Sequence, residues 1–223
     1  MLGAYLKKKF SKDKEVPLAE QFFSPLRVAL HSTIDIATVD WLMLGEALHN
    51  AMKLPLGKLS VLAIGKTLTD RDEIYNIYME DTANEEFILQ LYCVVKDGKG
   101  TVSEATLYKQ VVNIVPLSES EWDVNTEGFG MPTLDLDEDT YKRVWSPDSN
   151  SKIDMIEFDE TVVESDRTTE YKNSFMLYSR SIATGTGVTE NEMLLVGIEE
   201  SSETAEITMM LGLNVPLQNI KVQ

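Results

Sequence analysis

Hydrophobic positions along this chain follow two different periods. Between Thr38 and Met52 the apolar residues Val39, Leu42, Met43, Leu48, Ala51 and Met52 fall at helical spacing. Thr38 can cap that stretch, its hydroxyl accepting from a free backbone N–H, and Pro55 and Gly57 stop it. The spacing predicts a helix over residues 38–53. Upstream, Pro17 and Pro25 punctuate the chain and Leu26–Ile36 reads as one or two short strands.

From Leu59 the period becomes two. Leu59–Leu68 is a predicted strand. Ile74–Glu80 is another, with Tyr75, Ile77 and Met79 on one face. Asp81–Asn84 turns the chain, and Glu86–Lys96 returns with Phe87, Leu89, Leu91, Cys93 and Val95 aligned. This is the pattern of an antiparallel hairpin with one buried side. Glu104–Val115 fits strand or helix equally, and Pro116 ends it. Strands resume at Ile153–Val163, Tyr171–Ile182, Glu192–Glu199 and Ala205–Leu213, the last with Ala205, Ile207, Met209, Leu211 and Leu213 on one side.

Between these two sets lies Trp122–Pro147. Thr133–Leu136 and Tyr141–Trp145 read as short strands joined by a turn at Asp137–Thr140. The run Asn-Ile-Val-Pro-Leu at Asn113–Leu117 has a counterpart in Asn-Val-Pro-Leu at Asn214–Leu217, each after a long apolar strand and a polar turn. Internal duplication is one explanation; chance likeness between two hairpins is the other. The expected fold is α+β and predominantly antiparallel β: two linked β-rich halves, a possible internal duplication, with one helix in the N-terminal region. The expected boundaries are a basic tail at 1–16, a first half at 17–121 with the helix, a junction hairpin at 122–147 and a second half at 148–223.

Composition narrows the function classes. At 223 residues and 43% apolar content, the chain is long enough to bury a sizeable core. A net charge of −17 disfavours nucleic acid, whose phosphates need clustered Lys and Arg. The first residues run against that trend: Lys7, Lys8, Lys9, Lys12 and Lys14 surround Leu2, Tyr5, Leu6 and Phe10. Lys7, Lys8, Lys9 and Phe10 therefore form a candidate membrane-surface tail attracted to anionic lipid; a solubilising, frayed terminus is the competing reading. Cys93 is the only cysteine, which forbids an internal disulfide and suits a reducing compartment. No apolar run approaches the roughly 18 residues a membrane span needs. The expected location is cytoplasmic, with a peripheral contact at an inner membrane through the tail.

Catalytic signatures are absent from the text of the sequence. It has no Gly-x-Ser-x-Gly elbow, no His-x-x-x-His, no phosphate loop and no paired cysteines. Gly185 and Gly187 lie in a hairpin loop lacking the Lys-Ser/Thr of a phosphate loop. His31 and His49 have no ligand partner at metal spacing and read as surface or core histidines. Cys93 lies in line with an apolar face and reads as inert core. Asp135, Asp137 and Asp139 have the spacing that starts a calcium loop, but Thr140 stands where glycine is required and Ser146 where the bidentate acid should be. No metal, cofactor or catalytic residue is assigned. The best candidate ligand or partner surface is aromatic and basic: Trp122, Phe129, Tyr141, Arg143 and Trp145, the last three alternating on one strand face. The same row could be structural, with Arg143 lying across two rings and pairing with an acid.

Three stretches carry a family resemblance: STIDIATVDWLML at Ser32–Leu44, IYNIYMEDTANEEFILQ at Ile74–Gln90 and SESEWDVNTEGFGMPTLDLDEDTYKRVW at Ser118–Trp145. With them the chain resembles the YjfK-like family of uncharacterised bacterial proteins over most of its length, the basic terminus excepted. That family has no established activity, so it lends no catalytic residue. Its gene setting implies an accessory role near the inner membrane, beside a phage-shock-like membrane-stress protein and an ATP-grasp ligase related to glutathionylspermidine synthetase. The expected function is a non-enzymatic accessory or interaction protein of an envelope-stress system, its acidic body meeting a basic partner. The alternative is an enzyme or binding module for a cationic small molecule such as a polyamine conjugate. A subunit that closes an oligomer through exposed strand edges is a third reading.

Overall fold

The computed structural model describes residues 26–69, 72–96, 99–183, 187 and 189–223. The stretch expected to be a membrane-surface tail lies outside them. The described chain is built from strands β1 (Thr33–Ile36), β2 (Leu59–Leu68), β3 (Asp72–Glu80), β4 (Glu86–Lys96), β5 (Lys99–Ile114), β6 (Thr133–Leu136), β7 (Asp139–Arg143), β8 (Ile156–Val163), β9 (Thr168–Ala183), β10 (Thr189–Glu200), β11 (Ala205–Asn214) and β12 (Ile220–Val222). Helices are short: α1 (Val39–Leu42) and α2 (Glu119–Thr126), with 3-10 turns at Gly45–Ala47 and Leu217–Asn219.

Strand pairing closes on itself. β2, β3, β4 and β5 form one antiparallel meander, and β8, β9, β10 and β11 form another. β5 then pairs with β11, and the end of β2 pairs with β8. The result is a closed eight-strand antiparallel barrel with four further strands, β12–β1 beside the start of β2 and β6–β7 beside the end of β9.

This corrects the expected α+β fold of two linked halves. The fold is all-β, and the strands of both expected halves join edge to edge into a single ring. Each meander alone would leave two bare edges of unpaired backbone, and mutual closure removes all four. The Val-Pro-Leu matches end β5 and β11, which are ring neighbours; just beyond the strand, Val215 N donates to Ala105 O at 2.8 Å. The helix expected over residues 38–53 is also shorter, ending at Leu42 without a Thr38 side-chain cap. Gly45 takes φ +45 and Leu48 is extended, so the apolar residues beyond the first turn reach the barrel from irregular chain. Glu104–Val115, ambiguous in sequence, lies in a strand because both its neighbours pair with it.

The two faces of the barrel wall have different fates. Phe87, Leu89, Leu91 and Cys93 are each no more than 1% exposed, and they belong to one cluster with Leu107, Leu194, Leu211, Trp41, Leu44, Met52, Phe129 and Tyr141. The last five lie outside the ring, so this face is the outer wall. It is roofed by residues 26–56, β1–β12, α2 and the β6–β7 hairpin. Burying each such Leu or Phe stabilises the fold by about 1.5–3 kcal/mol.

The opposite face lines the lumen. Asn76 and Tyr78 of β3 and Asn173 of β9 all hydrogen-bond Glu160 of β8, although β2 lies between β3 and β8 in the ring. Side chains on a convex wall diverge, and only the concave side brings them onto one carboxylate. The lumen is packed in two layers. Tyr108, Phe175, Leu195 and Met210 form its apolar part, with the rings of Phe158 and Phe175 5.6 Å apart. Glu160 and its partners form the polar part. A Cβ at Gly65 would sit 1.8 Å from Glu160 Oε1, so bare backbone there makes room for the carboxyl.

Candidate functional site

The stretch Trp122–Pro147 is folded onto the outer wall. Ser118 caps α2, its Oγ accepting from Glu121 N at 3.3 Å. β6 and β7 then form a hairpin whose turn puts Asp137 at φ 52, and β7 pairs with β9 through Lys142↔Ser179 and Arg143↔Tyr178. Register on β9 turns Tyr141 and Arg143 inward. Tyr141 is fully buried, Phe129 and Arg143 are 3% and 4% exposed, and Trp122 and Trp145 are half-buried against the core. Trp145 touches both clusters, so it marks the rim where lumen and outer layer meet.

Among the described residues, Arg143 makes no ion pair. Its guanidinium donates to the carbonyls of Gly130, Ser151 (3.0 Å), Ser146 (3.1 Å) and Ser149 (2.6 Å). One planar fork thereby gathers the loop that follows β7. Tyr178 adds a second tie: Gly130 N donates to its hydroxyl at 2.8 Å. Gly130 has φ +81, and a Cβ there would meet Ile153 O at 2.0 Å. The aromatic–Arg row thus faces inward and holds loops together.

Tyr141 leads to the strongest polar constellation of the outer wall. Its hydroxyl donates to Glu192 Oε2 at 2.8 Å. Arg180 Nε donates to the same oxygen at 2.7 Å, and His49 N donates to Glu192 Oε1 at 2.9 Å. Arg180 also reaches Asp139 at 2.5 Å and Ala47 O at 3.1 Å, with its guanidinium 5.4 Å from the Tyr141 ring centre. His49 Nδ1 accepts from Ala51 N at 3.0 Å, which leaves Nε2 facing Asp137 at 3.4 Å. Burial beside the Glu192 carboxylate pushes the Tyr141 hydroxyl far above the usual tyrosine range. Both oxygens of the buried Glu192 carboxylate are bonded by donors from the fold. The constellation clamps residues 45–52 and the β6–β7 hairpin to β9 and β10.

Sequence reasoning passed over Glu192, Arg180 and Glu160. The signal was present: Glu192 is in phase with Leu194 and Val196, and Glu160 with Phe158 and Val162. A carboxylate in phase with apolar neighbours on a strand is a buried acid that needs donors.

Open concave space lies elsewhere. A groove of about 610 Å³ runs between α1 and the ends of β5, β10 and β11, lined by Trp41, Met43, Glu104, Glu190, Val215 and Leu217 among others. On α1 Val39 and Leu42 are 69% and 65% exposed, and Met43 just after it is 61% exposed. Glu104 and Glu190 are exposed on the groove walls. Among the described residues, no three His, Cys, Asp or Glu side chains are grouped to hold a metal ion. No helix among them is long and apolar enough to cross a membrane.

A family model described as "Protein of unknown function (DUF2491)" matches residues 5–221, and the chain belongs to that family. No curated protein and no solved structure matches it.

Proposed function

We propose that this chain is a non-enzymatic interaction module, and that the groove beside α1 receives a basic amphipathic segment of a partner protein. The observation that carries the reading is one groove lined by Trp41, exposed Met43, Glu104 and Glu190, with exposed Val39 and Leu42 on the adjoining helix α1. An unpartnered apolar face rimmed by acid suits lysines set around an apolar stripe, and the net charge of −17 would steer such a segment inward. The resemblance to the YjfK-like family supports a bacterial, cytoplasmic setting near the inner membrane, within envelope stress. It makes a phage-shock-like membrane-stress protein the first partner to try.

Calorimetric titration with a lysine-rich amphipathic helical peptide tests the surface. Binding should weaken with salt and fall at least about tenfold in Glu104→Lys/Glu190→Lys or Leu42→Asp, with the melting temperature unchanged. Absence of binding to the wild type at low salt defeats the reading.

A second reading keeps the groove and changes the occupant to a cationic small molecule such as a polyamine conjugate. Trp41 beside Glu104 and Glu190 favours it, since an ammonium chain pairs with carboxylates and lies along an aromatic edge. Spermidine raising the melting temperature of the wild type but not of the Glu104→Lys/Glu190→Lys variant would select it over the peptide.

A further inference from the structure

We propose that Glu160 is a proton switch for the barrel seam: its carboxyl carries a proton while the ring is closed, and losing that proton loosens the contact between β2 and β8. The seam is the short join of the ring. β2 and β8 meet through four register pairs, Ile64↔Val163 to Thr67↔Glu160, whereas β9 and β10 meet through twelve, Thr189↔Ala183 to Glu200↔Lys172. Glu160 stands at the end of that short join. From there it reaches over Gly65 to bond β3 as well, so one side chain ties β8, β3 and β9 together.

All three donors to the carboxyl are neutral: Asn76 Nδ2 at 2.9 Å, Asn173 Nδ2 at 2.9 Å, and the Tyr78 hydroxyl at 3.0 and 3.1 Å from the two oxygens. Among the described residues, the groups facing the carboxyl supply no positive charge. β2 presents Gly65 and Thr67, β3 presents Asn76 and Tyr78, and β8 itself presents Phe158 and Val162. β9 presents Asn173 and Tyr171, and β4 presents Gln90, which donates to Asn76 Oδ1 at 3.1 Å. From β10, Glu199 adds negative charge felt at Tyr78. The nearest cation along β2, Lys66, points to the outer wall and pairs with Glu73 at 2.8 Å. An ionised Glu160 would therefore be a buried anion without a counter-charge.

The cluster also holds two polar atoms without a partner among the described residues. Thr67 Oγ1, directly opposite Glu160 in register, and Asn173 Oδ1 are buried without a hydrogen-bond partner. A protonated carboxyl has an O–H donor that an ionised one lacks. Burial pushes the carboxyl above the ordinary glutamate range, against the opposing pull of its three donors. A raised folded value favours the neutral form. Seam stability is then complete below the ordinary glutamate range and is lost as pH rises through the folded value.

Two measurements on the full chain test this. Carbon-13 spectra of the glutamate carboxyls should show Glu160 titrating above the usual value of about 4.3. Amide hydrogen-exchange protection at residues 64–67, corrected for intrinsic rates, should fall about tenfold relative to β4 and β5 between about pH 5 and about pH 9, and Glu160→Gln should abolish that fall. Titration of Glu160 in the ordinary range overturns the proposal, as does seam protection in the wild type that stays level with pH. The carboxyl spectra need only the wild type, so the test survives a Glu160→Gln variant that does not fold.

Discussion

Two buried glutamates on the two sides of one barrel wall solve the same problem in opposite ways. Glu192, on the outer wall, is fully buried and answered by a guanidinium, a phenol and a backbone N–H. Glu160, in the lumen, is 3% exposed and answered only by two amides and a phenol. The first is an ion pair that fastens the covering layer; the second is an acid whose charge the lumen does not offset. The difference follows from space. The outer wall meets a loop layer that can deliver Asp139 and receive the long Arg180 side chain, while the lumen has room for short amides around a bare Gly65.

The largest expected effect is on the outer side. Arg180→Ala strands a charge at Glu192 and should cost about 3–5 kcal/mol of unfolding free energy by denaturant titration. The Arg180→Ala/Glu192→Ala double variant should lose less than the sum of the singles, and strict additivity would dissolve the contrast. Next comes Gly65→Ala, which forces a methyl against the Glu160 carboxyl and should cost about 1–3 kcal/mol. An unchanged midpoint would mean that the carboxyl is loosely held.

A smaller effect, opposite in sign, is expected from Glu160→Gln. It should raise the melting temperature at about pH 8 and lose that advantage at about pH 3, where the wild-type acid is neutral in both folded and unfolded chains. A variant less stable at every pH would place Glu160 in the same class as Glu192. Smallest of all is the behaviour of Cys93 on the outer wall. Burial pushes its thiol to about 11 and leaves it 0% exposed, so a disulfide reagent at about pH 8 should modify it only as fast as the covering layer opens. Rapid labelling of the native chain would show that the layer, rather than the seam, is the weaker part.

Much of the strand layout was legible from alternation. Ile74–Glu80, Glu86–Lys96 and Ala205–Leu213 fall within β3, β4 and β11, and the expected strand at Thr133–Leu136 coincides with β6. The helix was overdrawn because periodicity from Val39 to Met52 ignores Gly45, whose positive φ ends the helical path. Of the candidate surface, Tyr141 and Arg143 lie on β7 and are buried. Their inward direction depends on two register pairs with β9, which no local pattern encodes.

By itself, the sequence determined which segments extend, which faces of them are apolar, and that the surface is strongly acidic, because these are properties of neighbouring residues. It did not determine which apolar face lies inside the ring. In β4 the predicted buried row Phe87–Leu89–Leu91–Cys93 faces outward under a covering layer, and its alternate Ile88 packs in the lumen. A period of two marks two sides and does not say which is concave. That was decided by closure of β2 on β8 and β5 on β11, a long-range pairing that also converted two ordinary strand glutamates into a clamp and a buried acid.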